Sequence, residues 1–221
     1  MDQLYLGIDI GTSSTKAIII NGIGRVLGFG RSAYDNFSSR IGWVEQKPNT
    51  WYRAVVASVQ EAVGQLKGSR RIAGIGMTGQ MHGLVMLDTE LKPLASAILW
   101  PDTRAVDEVQ SIKRRYGQKF FEMTGGPIAT GFLLASLLWV KKNRSDIYSK
   151  IHAVLAPKDY IRLQLTGKIA TDPSDACGTG AFLPAASQWA VDLIDDLGLD
   201  PKLFPEVMPS SSVAGMLLPY A

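Results

Sequence analysis

The sequence predicts a mixed α/β domain, and two observations carry the prediction. Three short β-prone runs joined by tight turns fill the first thirty residues, and after them the apolar pattern alternates between the helical and the strand period. The first run is Leu4 to Ile8. The second is Ala17 to Ile20, closed by Asn21-Gly22, a pair that tolerates the positive φ a tight hairpin demands. Arg25 to Phe29 is the third, and together they form an antiparallel meander.

Beyond the meander, Trp51, Val55, Val56, Val59, Ala62 and Val63 recur at helical spacing, with Asn49 or Thr50 as the expected N-cap and Gly68 past the end. Ile72 to Met77 and Leu84 to Leu87 read as strands. Thr103 to Arg115 and Phe132 to Lys142 read as helices, and Ala153 to Ala156 as a buried strand. Lys158 to Leu165 is a helix stopped at Gly167, and Val191 to Leu197 one stopped at Gly198, because glycine takes the left-handed conformation that ends a helix. Such alternation favours a parallel sheet flanked by helices. A meander followed by crossovers, giving a mixed sheet, is the arrangement of the ribonuclease H-like fold. With no repeat, low-complexity stretch or linker, residues 1–221 read as one domain. The apolar end, Val213 to Ala221, suits either a domain that closes there or a cut inside a longer chain.

Composition narrows the function. Apolar residues make up 46% of the chain and charged ones 19%, ample for a core and unlike a disordered chain. The net charge of +3 is dispersed, and its densest cluster, Lys113-Arg114-Arg115, fits a solvated helix face. A nucleic-acid partner would want a basic stripe with exposed aromatics, which the sequence lacks. The single cysteine, Cys177, permits no internal disulfide and reads as a small packing residue. The start, Met1-Asp2-Gln3-Leu4, carries no signal-peptide pattern, and no apolar run approaches the ~18 residues of a membrane helix. A cytoplasmic protein is expected, without a membrane partner.

Two turns carry candidate chemistry. Asp9 to Lys16, between the first two strands, holds a glycine, four hydroxyl residues and a lysine. Such a turn can aim N–H groups and hydroxyls at phosphate oxygens, with Asp9 toward Mg²⁺ and Lys16 against phosphate charge. It is neither a P-loop nor a dinucleotide fingerprint, since GxxxxGK[ST] and GxGxxG are both absent. A polar hairpin with no ligand reads equally well from these residues. The second turn, Thr78-Gly79-Gln80-Met81-His82-Gly83, follows a strand end, where α/β sheets bind ligands. Gln80 and His82 offer directional hydrogen bonds and Met81 a soft wall, though a turn histidine bonded to a carbonyl accounts for the pattern as well. Trp100 could stack on a sugar or close an apolar run. Asp102, oriented by Arg104, could accept from hydroxyls or cap the helix near Thr103.

The opening Asp9-Ile10-Gly11-Thr12 through Lys16 resembles the phosphate motif of the sugar-kinase, chaperone and actin superfamily, and in particular the DxGTxxxK/R start of FGGY carbohydrate kinases. Gln80-Met81-His82-Gly83 resembles the sugar-contacting turn of the bacterial xylulokinase group. Leu99 to Arg104 is similar to the LWxDxR stretch of that group, with Pro101 where relatives often carry Asn. Ala156 to Tyr160 is similar to LPKDYLR, Asp172 to Thr179 to DxSDASGT, and Trp43-Val44-Glu45-Gln46 to WxEQ. The resemblance implies an N-terminal, sugar-binding FGGY domain over residues 1–221, cut from a longer chain whose C-terminal part binds nucleotide. It implies ATP-dependent phosphorylation of a ketopentose such as D-xylulose, with ribulose, gluconate or glycerol as other substrates. By the same resemblance Asp9 lies near Mg²⁺ and the transferred phosphoryl, while Gly11, Thr12, Ser13 and Lys16 face the nucleotide phosphates. Met81 and His82 touch the sugar, with Gln80, Trp100 and Asp102 kept as further candidate contacts from their chemistry, and an aspartate base lies beyond Ala221. The chain alone would then have little activity, and a homodimer is left open. From other classes, an actin-like or regulatory ATPase module and a non-catalytic sugar-binding fragment compete.

Overall fold

The computed structural model describes residues 3–68 and 71–219. The elements of its first part are β1 (Leu4–Ile10), β2 (Ser14–Asn21), β3 (Val26–Ala33), β4 (Glu45–Gln46), α1 (Pro48–Gly64) and β5 (Ile72–Gly79). Then follow β6 (Val85–Leu87), β7 (Ala97–Ile98), α2 (Val106–Tyr116), α3 (Gln118–Thr124), α4 (Leu133–Asn143) and α5 (Ser145–Tyr148). The last are β8 (Ala153–Leu155), α6 (Pro157–Thr166), α7 (Pro173–Cys177), β9 (Phe182–Leu183), β10 (Gln188–Trp189) and α8 (Val191–Asp196). The chain divides into two units, Met1–Asn36 with Lys47–Gln80, and Phe37–Gln46 with Met81–Ala221. Among the described residues no helix is long and apolar enough to cross a membrane.

In the first unit one mixed sheet runs β3-β2-β1-β5. The meander forms as expected, antiparallel throughout, and β5 joins β1 in parallel after the α1 crossover. Leu4, Leu6, Ile8 and Ile10 are buried at alternate positions of β1, as are Ala17 and Ile19 of β2. That period of two is what puts a single face of the sheet into the core. Trp51, Ala54, Val55, Ser58 and Ala62 form the buried face of α1, which packs on β2 and β3. Two glycines set how closely: a Cβ on Gly28 would lie 2.2 Å from the Ala62 carbonyl, and one on Gly30 2.0 Å from that of Ser58.

Several boundaries differ from the sequence expectation. The third strand is Val26–Ala33, extended past Phe29 because Arg31 and Ser32 pair with Lys16 and Thr15 without needing apolar side chains. The N-cap of α1 is Lys47, not Asn49 or Thr50, and it makes no side-chain cap. Pro48 explains both points: its fixed φ starts the helix, and it holds the preceding residue extended. The parallel sheet that alternation favours reduces to the β1–β5 pairing. Strands β4 and β7, β6 and β8, and β9 and β10 pair off antiparallel, outside the main sheet.

The second unit is built round α4, whose Leu134 and Leu137 are fully buried among Leu84, Met86, Ile98, Val109, Ile112 and Val154. Helix α2 starts at Val106 rather than Thr103, and Thr103 N–H is donated to the Gly42 carbonyl (2.8 Å). Gly167 ends α6 at φ 73, as expected. Tyr220 and Ala221, the end of the apolar terminal segment, lie outside the described residues.

Gly30→Ala is expected to cost about 1–3 kcal/mol or more by forcing α1 off the sheet. Gly64→Ala, at an exposed helical position with nothing within 4 Å of the new Cβ, is expected to add about 0.5 kcal/mol. Urea unfolding of the two variants checks both, and equal stabilities would contradict the close-approach argument.

Candidate functional site

The first unit contributes the hairpin. Pairing of β1 with β2 sets Asp9 opposite Lys16, and Lys16 Nζ lies 3.2 Å from Asp9 Oδ2. Their side chains are 39% and 48% exposed, so this pair is loosely held, worth at most about 1 kcal/mol. Gly11 N–H is donated to the Ser14 carbonyl at 3.1 Å, and a Cβ on Gly11 would meet the same oxygen at 3.1 Å. Gly11 therefore closes the turn and spends its amide doing so, while Ser13 is exposed at the tip.

Tyr34, which sequence reasoning passes over, supports the turn from behind. Its hydroxyl donates to the Gly11 carbonyl at 2.6 Å, and its backbone N–H to the Ser13 carbonyl at 3.0 Å. Burial, eased by the Thr15 hydroxyl and reinforced by the charge of Asp9, pushes the phenol up to about 12, so it stays a neutral donor. At the same end of the sheet, the buried Gln80 donates its backbone N–H to the Ile10 carbonyl at 2.7 Å. The carboxyl ends of the parallel pair β1 and β5 thus present Asp9, the Gly11–Ser13 turn and Gln80 together.

Among the described residues no cluster of three or more His, Cys, Asp or Glu could hold a metal. A half-exposed carboxylate such as Asp9 still fits Mg²⁺ arriving with a nucleotide, because that ion takes one or two carboxylates and completes its shell with phosphate and water.

The second unit holds Met81, His82, Trp100 and Asp102. Gly83 N–H closes a tight turn on the Met81 carbonyl at 2.8 Å, with His82 at φ 66, a left-handed conformation uncommon outside glycine. Met81 is 57% exposed. The His82 ring stacks on Phe132, centroids 4.1 Å apart and planes within 9°. Its Nδ1 hydrogen-bonds the Gly178 carbonyl, and since a carbonyl can only accept, Nδ1 is the donor. Trp100 is half-exposed, and the missing side chain of Gly131 lets the chain pass against its carbonyl: a Cβ there would lie 1.8 Å from that oxygen.

Asp102 is fully buried, and four donors fill its oxygens. Oδ2 accepts from Val44 N–H and Arg104 Nη2, each at 2.7 Å, and Oδ1 from Arg104 N–H and Nε, each at 2.9 Å. It caps no helix, since α2 begins at Val106 with Ala105 before it. Arg104 Nη2 also reaches Glu45 at 2.7 Å, and the guanidinium sits 3.7 Å from the Trp43 ring centre, with Trp139 edge-on to Trp43. Asp102 thereby fixes the Leu99–Arg104 backbone that carries Trp100.

Sequence reasoning also misses a buried ion cluster. Lys158 Nζ lies 2.9 Å from Asp159, 3.3 Å from Asp175 and 3.6 Å from Asp172. The N-cap of α7 is Asp172, which accepts Asp175 N–H at 3.0 Å, while the Asp175 carboxylate turns to Lys158. Burial, with Asp159 and Asp172 adding repulsion against the pull of Lys158, pushes the Asp175 carboxyl up to about 6. Burial alone would lower Lys158, but three carboxylates outweigh it and raise it. Cys177 corrects the packing expectation: it is exposed, and partial burial together with Asp172 pushes its thiol up, away from a reactive thiolate.

A family model described as the N-terminal domain of the FGGY family of carbohydrate kinases matches residues 4–221. A xylulose kinase from Staphylococcus xylosus is 37% identical over 213 residues, covering 96% of this chain and 44% of that protein. The crystal structure of a xyloylose kinase from Brucella ovis superposes with a TM-score of 0.91 at 35% identity, over 99% of this chain and 45% of that one. That of a gluconate kinase from Lactobacillus acidophilus gives 0.93 at 27% identity, over 100% and 44%. The chain thus spans less than half the length of each of these three proteins.

Arg104→Met strands a buried carboxylate and is expected to destabilise the chain by about 3–5 kcal/mol, read by chemical denaturation. Asp175 sets a pH dependence. Its folded-state carboxyl binds protons up to about pH 6, whereas the unfolded one releases them near 4, so stability falls as pH rises between these values. Asp175→Asn is expected to remove that slope in melts across the window, and a slope left unchanged would show that Asp175 is not its source.

Proposed function

The chain belongs to the FGGY family of carbohydrate kinases, and from that premise we propose that the whole protein passes the γ-phosphoryl of ATP to a hydroxyl of a ketopentose, D-xylulose first among the candidates. The observation that carries the reading is the Met81-His82 turn. An exposed thioether stands beside an imidazole whose Nδ1 is already bonded, so that Nε2 is left for a ligand. Xylulose kinases among the relatives support the choice of sugar, and the likeness to a gluconate kinase makes gluconate the acid to test beside it.

In this reading Met81 and His82 contact the sugar, Gln80 borders it, and Trp100 offers a stacking face held in place by the Asp102–Arg104 pair. Asp9 lies toward the transferred phosphoryl, with Thr12, Ser13 and Lys16 facing the nucleotide phosphates and Gly11 shaping their turn. Mg²⁺, when bound with ATP, neutralises phosphate charge. Lys16, only loosely paired with Asp9, can swing to phosphate oxygens at little cost. Phosphoryl transfer depends mainly on positioning and charge, with a base at the attacking hydroxyl. The remainder of the whole protein is expected to supply that base and the adenosine site.

The test is a panel of D-xylulose, D-ribulose, gluconate and glycerol with the whole enzyme and its His82→Ala variant. We expect phosphorylation of D-xylulose above the others, and a roughly ten- to hundredfold loss of kcat/KM for it in the variant. ATP turnover with none of the four, or identical kinetics in the variant, would count against the reading.

A further inference from the structure

The ion cluster around Lys158 has no part in the proposed chemistry, yet the chain connects it to His82. Lys158 stands at the start of α6, only 8% exposed, with Asp159, Asp172 and Asp175 around its ammonium. Asp172 and Asp175 belong to α7: the first caps it and accepts Ala176 N–H on its carbonyl at 2.9 Å, and the second lies within it. The residue after α7 is Gly178, whose carbonyl receives His82 Nδ1. Gly178 has φ −70, open to any residue, so backbone freedom does not explain the glycine. Contact does: a Cβ there would lie 3.0 Å from His82 Nδ1 and 3.3 Å from Cε1. Thr179 then anchors the turn onward, its carbonyl accepting Leu134 N–H at 3.0 Å, two residues after the Phe132 that stacks on the His82 ring.

We propose that Lys158 is a positioning residue for the sugar site: by tying Asp172 and Asp175 to the start of α6, it holds the Gly178 carbonyl against His82, fixing the ring's orientation and its Nδ1–H tautomer and presenting Nε2 as an acceptor to a sugar hydroxyl. The proposal rests on His82 being a sugar contact. Its physics is that of an outer partner that sets which imidazole nitrogen carries the proton. Arg162 Nη2, 3.3 Å from Asp159, offsets that carboxylate, so Lys158 is the cation that Asp172 and Asp175 share. Without it their repulsion and desolvation push α7 outward, and the carbonyl goes with it. The ring is then free to turn on Phe132 and to exchange tautomers, and sugar binding has to order it.

The test uses the whole enzyme with Lys158→Met, Lys158→Arg and Gly178→Ala. Nitrogen NMR of His82 in sugar-free protein reads the tautomer, and steady-state kinetics separate the KM for sugar from that for ATP. In Lys158→Met the Nδ1–H signature is expected to give way to a mixture. The KM for D-xylulose should rise roughly tenfold, with kcat and the KM for ATP within about twofold. Lys158→Arg restores the charge and most of both signals. Should Lys158→Met fail to fold, Gly178→Ala decides, since it crowds the ring without removing a charge and should give the same split. A folded Lys158→Met or Gly178→Ala enzyme with an unchanged His82 signature overturns the proposal even if xylulose is turned over. A wild-type enzyme that phosphorylates none of the sugars sinks the functional reading on which it rests.

Discussion

Arg104 is the side chain on which the second unit depends. Its guanidinium is 3% exposed and Asp102 not at all, and removing two such ions from water costs several kcal/mol each. The offset is geometric: two bonds to Asp102, one to Glu45, and a Trp43 ring across the guanidinium face. What this arrangement adds beyond stability is uniqueness. The Val44 N–H bond to Asp102 and the pairing of β4 with β7 give residues 43–46 one register against residues 97–102. An apolar trio of the same volume would fill the space without choosing that register.

The candidate segments follow one design, in which neighbouring groups hydrogen-bond each of them from behind and leave its tip to solvent. Tyr34 holds the Gly11 carbonyl, Asp102 holds the backbone that carries Trp100, and Gly178 lends a carbonyl to His82. The residues that would meet a ligand, Ser13, Met81 and Trp100, remain exposed. Rigidity is thus supplied one step behind the contact surface, which keeps the cost of ordering side chains out of the binding event.

The long periodic elements were legible in the sequence. The meander, α1, β5, α4 and the glycine-stopped α6 follow from alternation, helical spacing and glycine stops, and the mixed sheet with them. Four strands of two residues escaped, because a two-residue ladder has no period to detect. Helix α3 escaped because its burial rests on Phe120 and Thr124 alone. At the site, the exposed residues stood out by type, and their supports did not. Nothing in a linear reading says that Tyr34 reaches back to Gly11, or that Lys158 meets carboxylates up to seventeen positions away. Buried polar pairs are set by tertiary geometry, and a single sequence offers no trace of them beyond an unusual lysine inside an apolar helix face.

Residues 37–46 belong to the second unit although they sit in the chain between β3 and α1 of the first. On the ribosome this imposes an order of events. The first unit is complete once Gln80 has emerged, with the 37–46 segment looped out and its partners not yet made. Trp43 then waits for Arg104, and for Trp139 at its edge, an interval of about 3–12 s at ordinary rates of synthesis. During that wait Trp43, Val44 and Glu45 lack the partners that bury them, so nascent chains halted between residues 80 and 139 carry an unfastened loop.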